Sequence, residues 1–254
     1  MIRLLLPLLL WLAAMPAAAA NVDYCQLPGG SLTLLVVDRT SPFDTKDRAL
    51  FAEGVAQVFE QLQPGDRLEA HTLGADHGAS QRVFAACKPG CPEQGFVAQL
   101  LGDCREMQAR RDALTVRARL VRELGALLEA REEHPASAIL ETLAAVRRQY
   151  PQAPARLVLY SDLLENSTQA HFGRKGVPDA EALLDKLKAR QLLPDWGGAQ
   201  VQVFGFGRGH DPQRRGLSPG ALQSLEAFWQ GYFRRAGATS IHIGSNLLRV
   251  EARQ

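Results

Sequence analysis

Residues 31 to 37 read SLTLLVV, and the seven residues that follow read DRTSPFD. A short, mainly apolar run is the pattern of a strand covered on both faces. This one is bounded by Pro28-Gly29-Gly30 and by a polar loop. Such a strand belongs in a sheet with helices above and below it. Asp38, Thr40, Ser41 and Asp44 crowd the point where it stops. Hard oxygens in that position can cap the next helix, hold a metal ion or supply a nucleophile.

The rest of the chain alternates between helical and strand patterns. Phe51, Val55, Val58, Phe59 and Leu62 recur at helical spacing, with Asp44 as N-cap and Pro64-Gly65 as stop. DRLEAHTL (66–73) alternates as a second strand, and QRVFAA (81–86) suits a short antiparallel edge strand. Residues 93 to 131 read as two charged helices with a break near Gly102 to Cys104. A helix follows over 136–150, with Ile139, Leu140, Leu143 and Val146 on its inner face and Ser137 as its cap. ARLVLYSDLL (155–164) is the next buried strand, and PDAEALLDKLKAR a helix with Pro178 at its start. AQVQVFGFGRG (199–209) is a strand. A helix capped by Ser218 runs to Gly237, and TSIHIG (239–244) is the last strand. The fold class expected is α/β: a doubly wound, mostly parallel sheet with one antiparallel edge strand and helices on both faces. Ligands in such sheets bind beyond the carboxyl ends of the strands. That places the loop after residue 37 and the Ser161-Asp162 pair on one functional edge.

The chain opens MIRLLLPLLLWLAAMPAAAA. A basic start, an apolar core and an Ala-rich end predict a cleavable signal peptide over residues 1–20 and one domain over 21–254. The apolar core is shorter than the roughly 20 residues of a membrane span, so no span is expected after cleavage. The expected location is periplasmic or secreted. Lys plus Arg number 29 against 27 Asp plus Glu, so composition calls for no nucleic-acid partner. In an exported chain the even count of Cys25, Cys87, Cys91 and Cys104 favours disulfides over a zinc site. If residues 81–86 run back as an edge strand, Cys87 and Cys91 return to the end of the sheet where Cys25 lies. Cys25 then pairs with Cys87 or Cys91, Cys104 takes the other, and all four are about 20 Å from Asp38.

VVDRTSP, SAILETL and LVLYSD stand in an order that resembles a von Willebrand factor A domain over nearly the whole chain after the leader. The resemblance implies a metal-ion-dependent adhesion site. That site is built from an Asp-x-Ser-x-Ser loop, a Thr on a second loop and an Asp after the fourth strand. Carried over by position, the ligands are Asp38, Thr40, Ser137 and Asp162. The third member of the first loop falls on Pro42, and Ser41 or Asp44 can supply the missing donor. Leu163 stands where the family has Gly. Hydroxyl and carboxylate oxygens suit Mg²⁺ or Mn²⁺. The partner implied is a protein that presents a carboxylate to the metal.

No Gly-x-Ser-x-Gly elbow or His-Glu-x-x-His pair stands in the sequence, so a binding module is expected rather than an enzyme. One alternative is a metal-free structural subunit of an envelope complex. A second is a Mg-dependent phosphohydrolase of haloacid dehalogenase type, but Thr40 stands where those enzymes place their acid/base Asp. His134, His171 and His210 are scattered and read as solvated. GFGRG (205–209) reads as a strand exit, and NST (166–168) matches a glycosylation acceptor.

Overall fold

In the computed structural model, β1 (Leu32–Asp38) is the strand from which the sheet is built outward. The structure describes residues 22–40, 44–76, 78, 80–91, 104–129, 136–173, 176–207 and 217–247. β1 lies between β2 (Arg67–Leu73) and β4 (Arg156–Tyr160), and both neighbours run parallel to it. β3 (Arg82–Cys87) closes one edge antiparallel to β2. β5 (Gln200–Phe204) and β6 (Ser240–Ile243) extend the other edge in parallel. The order is β3-β2-β1-β4-β5-β6. The fold is thus α/β, doubly wound, with one antiparallel edge strand.

The helices divide between the two faces, which is why β1 is apolar at every position from Leu34 to Val37. Leu34 and Val36 point to α3 (Ile139–Arg148), α4 (Ala180–Ala189) and α5 (Pro219–Arg235). Leu35 and Val37 point to α1 (Thr45–Glu60) and α2 (Glu106–Glu129). Successive side chains of a strand alternate in direction, so covering both faces requires an apolar residue at every step. Gly54 permits the close approach of α1, since a Cβ there would meet the Phe204 ring at 2.6 Å.

Most boundaries follow the local signals. Asp44 caps α1 in a reciprocal capping box with Asp47. Ser218 caps α5, Pro219 is its first residue, and Gly237 follows it with φ 82°. Several boundaries differ from the sequence expectation. β4 stops at Tyr160 instead of running to 164, because the Ser161 hydroxyl accepts the amide of Leu163 and the chain turns. β5 stops at Phe204, where Gly205 takes φ 89° and leads the chain out of the sheet. α3 begins at Ile139, later than expected, and its N-cap is Ala138 rather than Ser137. Asp179, not Pro178, is the residue that starts α4. Of the two helices expected over 93–131, residues 92–103 lie outside the described residues and the second is α2.

Cys25 is bonded to Cys87 and Cys91 to Cys104. Cys87 is the register partner of Arg67 at the start of β2, so this bridge lies at the end of the sheet opposite Asp38. It anchors the segment ahead of β1 across a separation of 62 residues. Among the described residues no helix is long and apolar enough to cross a membrane. The leader expected over residues 1–20 lies outside them.

Removing Cys25 and Cys87 together should lower unfolding stability by about 2–4 kcal/mol, since the bridge closes a long loop in the unfolded chain. Denaturant titration measures this, and non-reducing peptide mapping should recover the Cys25–Cys87 and Cys91–Cys104 pairs. Recovery of a Cys87–Cys91 peptide would contradict the fold as described.

Candidate functional site

The chain leaves β1 towards β2 and β3 on one side, then returns to β4 on the other. Neighbouring connections therefore diverge at the carboxyl ends of β1 and β4, and such a switch point is where doubly wound sheets bind ligands. Asp38 ends β1 at that point and is 1% exposed. Its Oδ1 accepts the Thr40 amide at 2.9 Å and the Thr40 hydroxyl at 2.6 Å. Its Oδ2 accepts the Ser161 hydroxyl at 2.6 Å. One carboxylate thus joins the β1 loop to the β4 loop. Asp162, the next residue, accepts the amide of Leu164 at 2.9 Å. Tyr160 fixes α1 beside this edge by donating its hydroxyl to the Asp47 carbonyl.

Ser137 belongs to the segment that enters α3. Its amide donates to Asn166 O and its carbonyl accepts Asn166 N, both at 2.9 Å. The following amide, Ala138 N, donates to Gly74 O just beyond β2. The segment is therefore stitched to the loops that follow both neighbours of β1. The Ser137 hydroxyl is buried and has no hydrogen-bond partner among the described residues. It does not cap α3, because Glu165 does so from a distance: its Oε2 accepts Leu140 N at 3.0 Å. Relieved of capping, the Ser137 oxygen keeps its lone pairs for another use.

Leu163 has φ 61°, a left-handed conformation that costs a side chain roughly 1–2 kcal/mol. Surrounding contacts hold it there. Its carbonyl accepts the Trp229 indole N–H at 3.0 Å, and its side chain is fully buried in the α3–α5 core. Position 163 therefore has a glycine-like backbone while carrying a leucine. Backbone strain of this kind gathers at functional sites.

The electrostatics follow from the crowding. Burial, and then the nearby charge of Asp162, raise the Asp38 carboxyl to about 6 against the hydrogen bonds from Ser161 and Thr40. Burial likewise raises Glu165 to about 7. Two adjacent carboxylates with hydroxyls around them suit a small hard cation, which would relieve their repulsion. A hydroxyl that donates its proton to Asp38 still offers lone pairs outward. Among the described residues no group of three or more His, Cys, Asp or Glu is gathered to hold a metal ion. A cation here would depend on the hydroxyls of Thr40 and Ser137, and the buried, unpartnered Ser137 oxygen fits that need.

The other candidates separate out. Asp44 Oδ1 accepts the Asp47 amide at 2.8 Å as the helix cap. Ser41, Pro42, His134 and His210 lie outside the described residues. His171 is exposed, with Nδ1 at 2.6 Å from Asn166 Oδ1. Ser161 is the residue that sequence reasoning placed on this edge without a role. Its only signal was adjacency to Asp162 at a strand end. Neither a scan against protein-family models nor a search of curated proteins finds a match to this chain.

Leu163→Ala and Leu163→Gly should both destabilise the protein, since each loses a buried leucine. Glycine should nevertheless be the milder by about 1 kcal/mol, because it alone is unstrained at this backbone angle. Denaturant midpoints check the order, and alanine proving more stable than glycine would refute the strained backbone.

Both raised carboxyls carry the same sign. A folded pKa above the unfolded one gives stability that is complete below the unfolded value and lost as pH rises through the folded value. In chelator, stability should therefore fall as pH rises from about pH 4, in a lower step that is complete near about 6 for Asp38 and an upper one that is complete near about 7 for Glu165. Glu165→Gln keeps an acceptor for Leu140 N and should remove the upper step. Thermal melts across this range measure it.

Proposed function

We propose that the chain is an exported protein-binding module of the von Willebrand factor A type, with Asp38, Thr40, Ser137 and Asp162 as oxygen donors to Mg²⁺ or Mn²⁺. The observation that carries this reading is the buried Ser137 hydroxyl without a partner, on a segment stitched to the edge where Asp38 and Ser161 are hydrogen-bonded. A hard cation at that edge would offer an exchangeable position to a carboxylate from a partner protein. The disulfides fit an oxidising compartment such as the periplasm or the cell exterior. The residue two positions after Asp38 is Thr40, whose hydroxyl donates to Asp38, so that position carries no carboxylate for acid/base work.

A second reading is a metal-free structural subunit. It is favoured by the saturation of Asp38, whose two oxygens already accept bonds from Thr40 N, Thr40 Oγ1 and Ser161 Oγ. In that reading Asp38 only braces the two loops.

Calorimetry with Mg²⁺ or Mn²⁺ separates the two. The binding module should give a saturable event that Asp38→Ala and Ser137→Ala abolish, together with a rise in melting temperature at millimolar metal. Capture of partners from an envelope extract should then be lost in chelator. Absence of both heat and thermal shift would leave the bracing role. A Mg²⁺-dependent phosphatase activity lost in Asp38→Asn would replace both readings with the hydrolase.

A further inference from the structure

The opposite end of the sheet carries a polar cleft of about 690 Å³. Its walls are the starts of β1 and β2, the segment that joins α3 to β4, and Arg82, which reaches Glu69 from its place opposite His71 on the antiparallel β3. Leu32 and Arg67 are register partners there, six residues and so about 20 Å from Asp38. On this face β2 presents Arg67, Glu69 and His71, because alternate residues of a strand point the same way. The cleft is of the size that small-molecule sites occupy.

Glu69 is the centre of its wall. Its side chain is 2% exposed, while those of Arg67 and Arg82 are 50% and 55% exposed. Arg67 Nε donates to Oε1 at 2.5 Å, and Arg82 Nη1 donates to Oε2 at 3.2 Å. The Tyr150 hydroxyl donates to the same Oε2 at 2.6 Å. Its only proton being committed, the phenol oxygen accepts from His71 Nε2, also at 2.6 Å. His71 is therefore the neutral tautomer protonated on Nε2, in line with the downward shift that burial gives it. These bonds lock Tyr150 and Glu69 in place, and Glu69 locks the two guanidiniums.

The construction is a poor stabilising device. Burying a carboxylate between two half-exposed arginines yields little net stability, and an apolar residue of similar volume commonly does better. It does bring two like charges together at the mouth of a cleft and hold them there. Arg67 contributes only its Nε and Arg82 only one Nη to Glu69, so further N–H groups of both forks have no partner among the described residues. Two guanidiniums and one carboxylate line the cleft, so one negative charge is missing from it. Guanidinium forks match the paired oxygens of carboxylate and phosphate. Pro151 and Pro154 supply apolar wall beside them.

We propose that this basal cleft is a binding site for a small ligand bearing a carboxylate or phosphate group, received by Arg67 and Arg82 and oriented by the Glu69–Tyr150 pair. The site is separate from the Asp38 edge and does not depend on a metal there.

The test is calorimetric titration of the full chain with two probes, inorganic phosphate and succinate, at low ionic strength. At least one should bind saturably, and the stronger identifies the oxyanion class. Arg67→Gln and Arg82→Gln should each weaken that binding by at least about tenfold, the effect of losing a charge-assisted hydrogen bond. Asp38→Ala should leave it unchanged. Each arginine variant leaves Glu69 one guanidinium, and circular dichroism reports whether it folds. A readout on the unaltered protein makes the test independent of that: the bound probe should protect Arg67 and Arg82 from phenylglyoxal, mapped by mass spectrometry. Arg110 and Arg122, exposed on α2 at 77% and 72%, should remain reactive. Failure of both probes to bind, binding that survives both substitutions, or equal modification with and without probe would each overturn the proposal.

Discussion

Asp38 accepts hydrogen bonds from Thr40 and from Ser161 at 2.6 Å each, and the carboxyl edge of the sheet is arranged around that acceptance. The carboxylate stands where an apolar strand ends, so it is removed from water by the same packing that buries the strand. Desolvation makes its charge costly, and the neighbouring charge of Asp162 adds to the cost. Hydroxyl donors lower it. The edge is thus held together by a group that the fold itself destabilises, which is the electrostatic condition under which a cation or a proton has the largest effect.

The loops around Asp38 are supported from further out. Glu165 takes over the capping of α3, which releases Ser137. Trp229 of α5 holds the strained Leu163 through its carbonyl, and Leu163 in turn sets the path of the chain after Asp162. A helix on one face of the sheet is in this way coupled to the oxygen set at its edge. Precise placement of such groups depends on locked supporting residues.

The two ends of the sheet are built on different chemistry. The Asp38 edge gathers carboxylates and hydroxyls. The basal end gathers guanidiniums around one buried carboxylate and lies by the Cys25–Cys87 bridge. That bridge ties the segment before β1 to the antiparallel edge strand, closing the basal end covalently, while the Asp38 edge is joined by hydrogen bonds and packing.

Much of the fold was legible in the sequence. LLVV (34–37) is apolar at every step, and only burial on both faces explains that. Pro219, Ser218 and Gly237 mark α5 because caps act on the backbone within about three residues. The antiparallel course of β3 placed Cys87 at the basal end and limited Cys25 to Cys87 or Cys91; the structure decides for Cys87. Asp38, Thr40 and Asp162 were legible as an edge because strand ends are local signals. What the sequence did not carry was the hydrogen bonding between side chains and groups distant along the chain. Ser161 bonds Asp38 across 123 positions, Glu165 caps α3 across 25, and Tyr150 meets Glu69 across 81. Ser137 reads as a helix cap until Glu165 is seen in its place. The basal cleft was invisible for the same reason: Arg67, Glu69 and Arg82 are ordinary strand charges in sequence. The tertiary structure decided that they surround one buried carboxylate, because register and packing, not local propensity, choose which side chains share a face.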